Sequence, residues 1–565
     1  MKASYFFWMS VLLTAATSAA GRPAFDLLVR GGTIYDGSGG EAFVGDVGVR
    51  NDRIVYVGPR AKGGATQVIE ARGKAVAPGF INGMSHATFT LVSDGTAQSD
   101  LRQGVTLEIL GEGSTAGPLN EALLAEVRAD PRQQAAFRWQ SLGEYLTGLE
   151  AKGVSVNFAS WVGATTVRRY VLGDGNVAPS SEQLEAMRAL VRYAMEEGAL
   201  GVATALGYPP AIFASTDELV SLASEAGRCG GAYASHMRNE GDALLESLDE
   251  FLQIARRSGA PATVFHLKAS GQDNWPKLAT ALQKISAARA QGLRITANMY
   301  PYTASATGLA ASVPPWVQEG GAVDFKKRLA DPAIRARVIA EMRTSSTAWD
   351  NEMRAAGGPS GVLLRSGRTL ADVAKALGVS GEEALLRMIE QDDGRPGGFY
   401  FTMSEPNLRQ QMLQPYVFFG SDLQALSITP QSAGKGAHPR AYGTFARVLA
   451  KYVRDEKVLS LAEAVRRLTS LPAASYSIAD RGRVRRGYFA DLVVFDPGAV
   501  QDQASFDSPH RYATGVSHVV VNGVLALADG ELTAARPGRA VRGRAWTGHA
   551  AGGCRAAPGD WAEVY

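Results

Sequence analysis

Two histidines, His236 and His266, stand thirty residues apart, and each closes an apolar run, GGAYASH and APATVFH. Between them DALLESLDEFLQIARRSG (242–259) is apolar at helical spacing and ends on Gly259. The segment predicts strand, helix, strand, with an imidazole at the carboxyl end of each strand. In a β/α barrel that end carries the active site. Successive parallel strands run ~4.8 Å apart, so two imidazoles there can share one metal ion. A single histidine of this kind reads as a core residue with satisfied hydrogen bonds. Two at equivalent ends of consecutive βα units favour metal binding.

The elements that must position this pair are legible around it. Residues 77–480 alternate apolar β-like runs with amphipathic segments such as SSEQLEAMRALVRYAMEEGA and STDELVSLASEAGRCGG. That alternation predicts a parallel sheet, either a barrel or a doubly wound fold. The stretch 21–76 differs. Short alternating runs separated by Gly and Asp turns predict antiparallel strands. The same texture returns in ADLVVFDPGAV (490–500) and VSHVVVNGVLALADGEL (516–532), the latter with an Asn-Gly turn at 522–523. The expected architecture is α/β: one central barrel (77–480), with a β-sandwich built from both chain ends (21–76 and 481–565). Residues 318–400 are expected to hold helical insertions outside the barrel.

The chain has 565 residues, 46% hydrophobic and 20% charged, ample for a large core and more than one domain. The net charge of +3 comes without a long basic run, which gives no case for nucleic acid or an anionic membrane. Lys2, the apolar stretch YFFWMSVLLTAATSAA, and Ser18 and Ala20 before Gly21 form an export-signal pattern over residues 1–20. Cleavage there, or less simply retention as an anchor, places the protein in the periplasm or outside the cell. No later stretch offers a membrane span. Cys229 and Cys554 lie in no CxxC motif, and whether they pair is left open.

Nine segments then occur in order: PGFI (78–81), RQGVTLEILGEG (102–113), GALGVATALGYPP (198–210), YASHMRNEG (233–241), FHLKASG (265–271), YPYTAS (300–305), GSD (420–422), HPRAYGTFARVL (438–449) and ADLVVFDP (490–497). Together they resemble the D-aminoacylase branch of the amidohydrolase superfamily, the N-acyl-D-amino-acid deacylases, over nearly all of the mature chain. The resemblance implies a metal-dependent (β/α)8 barrel with a small β-sandwich, and hydrolysis of an amide bond.

The chain departs from that superfamily where metal is bound. PGFID is usually followed there by His-x-His. Here the stretch is PGFINGMSHATF, with Met84 at the first histidine place and only His86 retained. A thioether is a poor zinc ligand. The metal-binding cysteine of the branch is replaced within LGEGST by Gly113, one position after Glu112. The expected site is one zinc ion held by Glu112, His236 and His266, with a fourth position open. The alternative for Glu112 is a carboxylate that organises its loop through backbone N–H groups. His86 is expected to touch the substrate or to stand by.

By the same resemblance Asp422 is the general acid/base, against the plainer reading of Ser-Asp as a helix N-cap. Lys268, Tyr300 and Arg440 are implied as ligands of the substrate α-carboxylate, with Tyr302 an equal candidate to Tyr300. Lys268 lies two residues past His266, where strand alternation would place both on one face. His438 is pocket-lining or structural. His510, His518 and His549 read as non-catalytic. The expected activity is zinc-dependent hydrolysis of N-acyl-D-amino acids. The alternatives are a D-dipeptidase or cyclic-amide hydrolase, and a metal-poor binding homologue.

Overall fold

The computed structural model describes residues 23–129, 137–391, 396–432, 436–547 and 554. The expected signal segment 1–20 and His549 lie outside the described residues. Two parallel ladders organise the middle of the chain. In the first, Phe80–Ser85 pairs with Val105–Leu110, which pairs with Asn157–Ser160. In the second, the order is Val162–Gly163, Gly201–Ala205, Ala232–His236, Ala262–Val264, Ile295–Met299, Val417–Phe419, with every neighbour parallel. The ladders adjoin at two places. Leu200 N–H donates to the Ser160 carbonyl at 3.0 Å, and Asp422 N–H to the Met84 carbonyl at 3.0 Å.

The strands of these ladders are buried along their whole length, as at Phe80–Ser85, Val105–Leu110 and Ala232–His236. Burial on both faces is why they read as continuous apolar runs rather than alternating ones. Amphipathic helices lie between them. Ser181–Glu196 begins with a reciprocal cap between Ser180 and Gln183. Leu244–Ser258 buries Leu248, Phe251, Leu252 and Ala255. It stops at Gly259, whose φ of 70° favours a residue without Cβ.

Both chain ends enter one nine-stranded mixed sheet, joined where Leu492–Phe495 runs antiparallel to Ala75–Pro78. Asn522 and Gly523, at φ 49° and 81°, make the tight turn between Val516–Val521 and Val524–Ala528 that the Asn-Gly pair predicts. Between Ile295–Met299 and Val417–Phe419 the chain leaves the parallel ladders. There Ser305–Gly308, Gly397–Tyr400 and Val362–Leu364 form a separate antiparallel sheet. It packs with helices around a second core that includes Phe325, Leu329, Leu385 and Ile389. The strands of this segment escaped the sequence reading because each is only three or four residues long. Cys229 and Cys554, left open by the sequence, form a disulfide. Among the described residues no helix is long and apolar enough to cross a membrane.

Candidate active site

His236 is the last residue of its strand, as expected. His266 is not on a strand: the strand stops at Val264, and His266 lies in a turn with φ +31°. Two bonds to Asn298 hold that turn. The Asn298 side-chain oxygen accepts from His266 N–H at 2.6 Å, and its carbonyl accepts from Leu267 N–H at 2.9 Å. Strand alternation therefore does not govern Lys268 either. What brings the two together is Glu240. Its Oε1 lies 3.1 Å from His266 Nδ1, and its Oε2 accepts from Lys268 Nζ at 2.6 Å.

Glu112 follows the strand Val105–Leu110 between Gly111 (φ 98°) and Gly113 (φ 70°). A Cβ at Gly113 would come within 2.8 Å of the Ala205 backbone nitrogen, so this loop takes no cysteine there without shifting. The loop instead presents Glu112. Its Oε1 lies 2.9 Å from His266 Nε2 and 3.2 Å from His236 Nδ1, and those nitrogens are 3.0 Å apart. Its Oε2 is 3.5 Å from His86 Nε2. Among the described residues the Glu112 side chain meets imidazoles and no backbone N–H, so the loop-organising reading lacks its donors. Two imidazole nitrogens and a carboxylate oxygen converging within 4.8 Å of one another are a donor set that fits a tetrahedral divalent ion. The far nitrogen of His266 lies 3.1 Å from Glu240 Oε1 and 2.7 Å from Lys268 Nζ, so the Glu240–Lys268 pair together orients the ring. A second group, His86, Glu112 and Asp422, shares Glu112 with the first.

Electrostatics matches this geometry. Burial pushes the Glu112 carboxyl up, but hydrogen bonds from His236 and His266 outweigh it and hold it at about 2. Burial and Lys268 push His266 down, yet Glu240, Asp422 and Glu112 raise it to about 9. Burial likewise opposes the ionised form of Asp422, and Arg440 with the nearby histidines holds it well below the carboxylate range.

Asp422 follows the strand Val417–Phe419 at φ +50°, and no helix starts after it, so it is not an N-cap. Its side chain lies 2.9 Å from His86 Nε2 and 2.9 Å from Arg440 Nη2. Arg440 is 1% exposed, donates also to the Asp422 carbonyl at 2.6 Å, and stacks 4.2 Å above the Tyr300 ring. Arg440 Nε and Nη1 and the Tyr300 hydroxyl have no hydrogen-bond partner among the described residues. His438 accepts from Arg440 N–H at Nδ1 (3.1 Å) and lies 3.0 Å from the Ala304 carbonyl through Nε2, as a neutral tautomer, and it also lines the active-site cavity. Met84 is buried in an apolar cluster with Phe418 and Phe265.

One cavity of about 610 Å³ is lined by His86, Glu112, His236, His266, Lys268, Tyr300 and Asp422. Arg440 lies behind Tyr300, and Tyr302 is not on the wall. His510 reaches the cavity from the C-terminal region, while His518 sits by Ser517 and Asp529. Sequence reasoning passed over three features. Glu240 stands inside the YASHMRNEG segment, four residues after His236, a spacing that could have flagged it. Tyr208 lines the cavity from within the GALGVATALGYPP segment, where it was not singled out, and Glu352 lines it without any motif to mark it. Beneath the Ser421–Asp422 turn lies a buried network, in which Asn82 donates to Asp100 (3.1 Å) and Glu108 (3.0 Å) and accepts from Ser421 N–H (2.8 Å).

Residues 67–526 match the profile of the amidohydrolase family, and the chain belongs to that family. Its likeness extends to particular members. It is 34% identical to the D-aminoacylase of Alcaligenes xylosoxydans xylosoxydans over 92% of this chain and 97% of that protein. It superposes with a TM-score of 0.76 on the N-acyl-D-glutamate deacylase of Bordetella bronchiseptica, solved with zinc and a phosphonate mimic of the tetrahedral intermediate. That pair is 29% identical over 92% of this chain and 99% of the other. A D-aminoacylase structure described by its binuclear metal centre, with one-metal activation and second-metal attenuation, gives a TM-score of 0.75 at 31% identity, covering 92% and 100%.

Proposed function

We propose that the protein is a zinc-dependent N-acyl-D-amino-acid deacylase, releasing a carboxylate and a D-amino acid. The observation that carries this reading is the convergence of Glu112, His236 and His266 on the cavity that also holds Asp422. The activities of the similar proteins support the substrate class. A divalent ion bound by the three side chains supplies Lewis-acid polarisation of a carbonyl and acidification of a water molecule. The chain's own residues do the rest. Asp422, held ionised beside Arg440 and His86, takes a proton from the attacking water and returns it to the departing nitrogen. Tyr300, on the cavity wall with its hydroxyl unfilled by protein, holds the substrate α-carboxylate, and Arg440, buried behind it, backs that ring and Asp422. Lys268 locks Glu240 against His266 and reaches the same cavity, where it adds positive charge for that carboxylate.

One tightly held ion is the expected complement. The second group contains a single imidazole, and Met84, at the place where the superfamily resemblance expects a histidine, is buried in an apolar cluster. The two parallel ladders are read as one closed (β/α)8 barrel, with Asn157–Ser160 and Val162–Gly163 as one strand interrupted at Trp161. The bond from Asp422 N–H to Met84 supports closure between the last strand and the first. The nine-stranded sheet is read as the small β-sandwich of residues 21–76 and 481–565, outside the barrel of 77–480. The Cys229–Cys554 disulfide supports an exported protein.

The test is elemental analysis of the purified protein together with hydrolysis of N-acetyl-D- and N-acetyl-L-amino acids. About one retained ion per chain and cleavage confined to the D-series are expected. Two ions equally resistant to dialysis would remove the single-ion assignment. Equal rates on both enantiomers would remove the D-specific one.

A further inference from the structure

Four carboxylates line the active-site cavity: Glu112, Glu240, Glu352 and Asp422. Three of them are matched by basic groups of the protein. Glu112 meets His236 and His266, Glu240 meets Lys268, and Asp422 meets Arg440. Glu352 differs. Among the described residues its one hydrogen bond is from Ser305 Oγ at 3.3 Å, and none of their cationic side chains lies within ion-pairing distance. Burial pushes its carboxyl above the ordinary range, and Lys268 and His236 act on it only from further away. A partly buried carboxylate without a cation is unfavourable, and a ligand that supplies one recovers that cost.

The surroundings place Glu352 on the wall that faces the histidines. Ser305 and Thr307 alternate along Ser305–Gly308 and so point to one side. Ser305 bonds Glu352, and Thr307 Oγ1 lies 3.0 Å from the Tyr208 hydroxyl. The Tyr208 ring in turn lies 5.0 Å from that of His236. The donor left for a substrate α-carboxylate, the Tyr300 hydroxyl, sits beside Arg440 and Asp422 instead. Arg365 also lines the cavity, but it is engaged in interactions within the protein.

We propose that Glu352 is a specificity-determining residue, which receives an ammonium or guanidinium group of the substrate. The inference rests on the deacylase reading and names its substrate class. The cation has two possible sources with the same chemistry: a basic side chain on the D-amino acid, or a free α-amino group on an aminoacyl moiety.

The test uses charge-neutral isosteres on the metal-loaded protein. N-acetyl-D-arginine is compared with N-acetyl-D-citrulline, and glycyl-D-alanine with N-propionyl-D-alanine. A charge-assisted pair predicts about ten-fold higher kcat/KM, or more, for the cationic member of one comparison, and which comparison shows it identifies the source. In Glu352→Gln that ratio should fall to about one, and Glu352→Asp should restore part of it. Ratios near one for both comparisons in the unaltered protein overturn the proposal. So does a ratio that survives Glu352→Gln, or a preference for N-acetyl-D-glutamate over N-acetyl-D-citrulline. If no amide is cleaved, the deacylase reading fails on its own. Calorimetric binding of the same pairs then decides the inference: a Glu352-dependent difference in Kd upholds cation recognition, and equal Kd values refute it.

Discussion

Glu112→Gln isolates the most unusual feature of the site. The substitution keeps the shape of the side chain and replaces an anionic oxygen by a neutral amide. In the structure that oxygen lies 2.9 Å from His266 Nε2 and 3.2 Å from His236 Nδ1, and the other oxygen 3.5 Å from His86 Nε2. The change therefore removes one of three ligands of the first metal group and a shared ligand of the second. Loss of a mere outer partner of a ligand typically lowers metal affinity 10–100-fold, so loss of the charged ligand itself should cost about 100-fold or more. That is ~2.8 kcal/mol at about 1.4 kcal/mol per factor of ten. The assay is zinc competition with a chromophoric chelator, run beside His236→Ala as the standard for a lost ligand. Activity of Glu112→Gln should return in part as zinc is added in excess. A zinc Kd within about two-fold of the unaltered protein would refute the assignment. His86 would then be the third ligand, because its Nε2 is the next nitrogen facing this carboxylate.

Asp422→Asn should lower kcat by at least ~10²-fold with metal content retained, measured by steady-state kinetics and elemental analysis; an unchanged rate removes Asp422 from proton transfer. Arg440→Ala should lower kcat on acids and on the corresponding esters alike, because Arg440 holds Asp422 from behind Tyr300; a rise in KM confined to substrates with a free α-carboxylate would show instead that it reaches the substrate. Burial raises the Asp100 carboxyl from 3.8 to about 7, against hydrogen bonds from Ser99 and Asn82, and pushes Glu108 well above its usual value. The folded chain therefore keeps protons that the unfolded chain releases, so this stability is complete below about pH 4 and is lost as pH rises toward 7. Glu108→Gln should flatten that decline, raising Tm by about a few degrees at pH 8 relative to the unaltered protein, as read by scanning calorimetry.

The legible parts of the fold were those with a period. Runs such as GGAYASH announce a strand because both faces are buried, and the helix 244–258 shows its apolar stripe and its Gly259 stop in the sequence itself. The partnership of the chain ends was also legible, since Leu492–Phe495 and Ala75–Pro78 share a β-texture that the middle lacks. Strands of three or four residues, such as Val362–Leu364, carry no such period and stayed hidden inside a helical stretch.

The site divides along the same physical line. His236, His266 and Asp422 were visible because each follows an apolar run, and position at the end of a strand is a one-dimensional property. Glu240, Glu352 and the Asn82–Asp100–Glu108 network are properties of three-dimensional proximity. Glu352 is 116 residues from His236 in the chain, yet Ser305, Thr307 and Tyr208 link the two along one wall. Sequence could also misplace a reason while finding the right residue. Lys268 and His266 do act together, but through Glu240 and a turn held by Asn298, not through strand alternation. The same holds for the metal group. The replacement of a histidine by Met84 and of a cysteine by Gly113 read as losses in one dimension. In three, a Cβ at position 113 meets the Ala205 backbone, and the adjacent carboxylate of Glu112 turns to both imidazoles. The change at Gly113 is thus matched within its own loop by Glu112, while Met84 sits on the separate strand Phe80–Ser85 in an apolar cluster; on the Glu112 reading, retained metal, not merely retained fold, is the expected outcome.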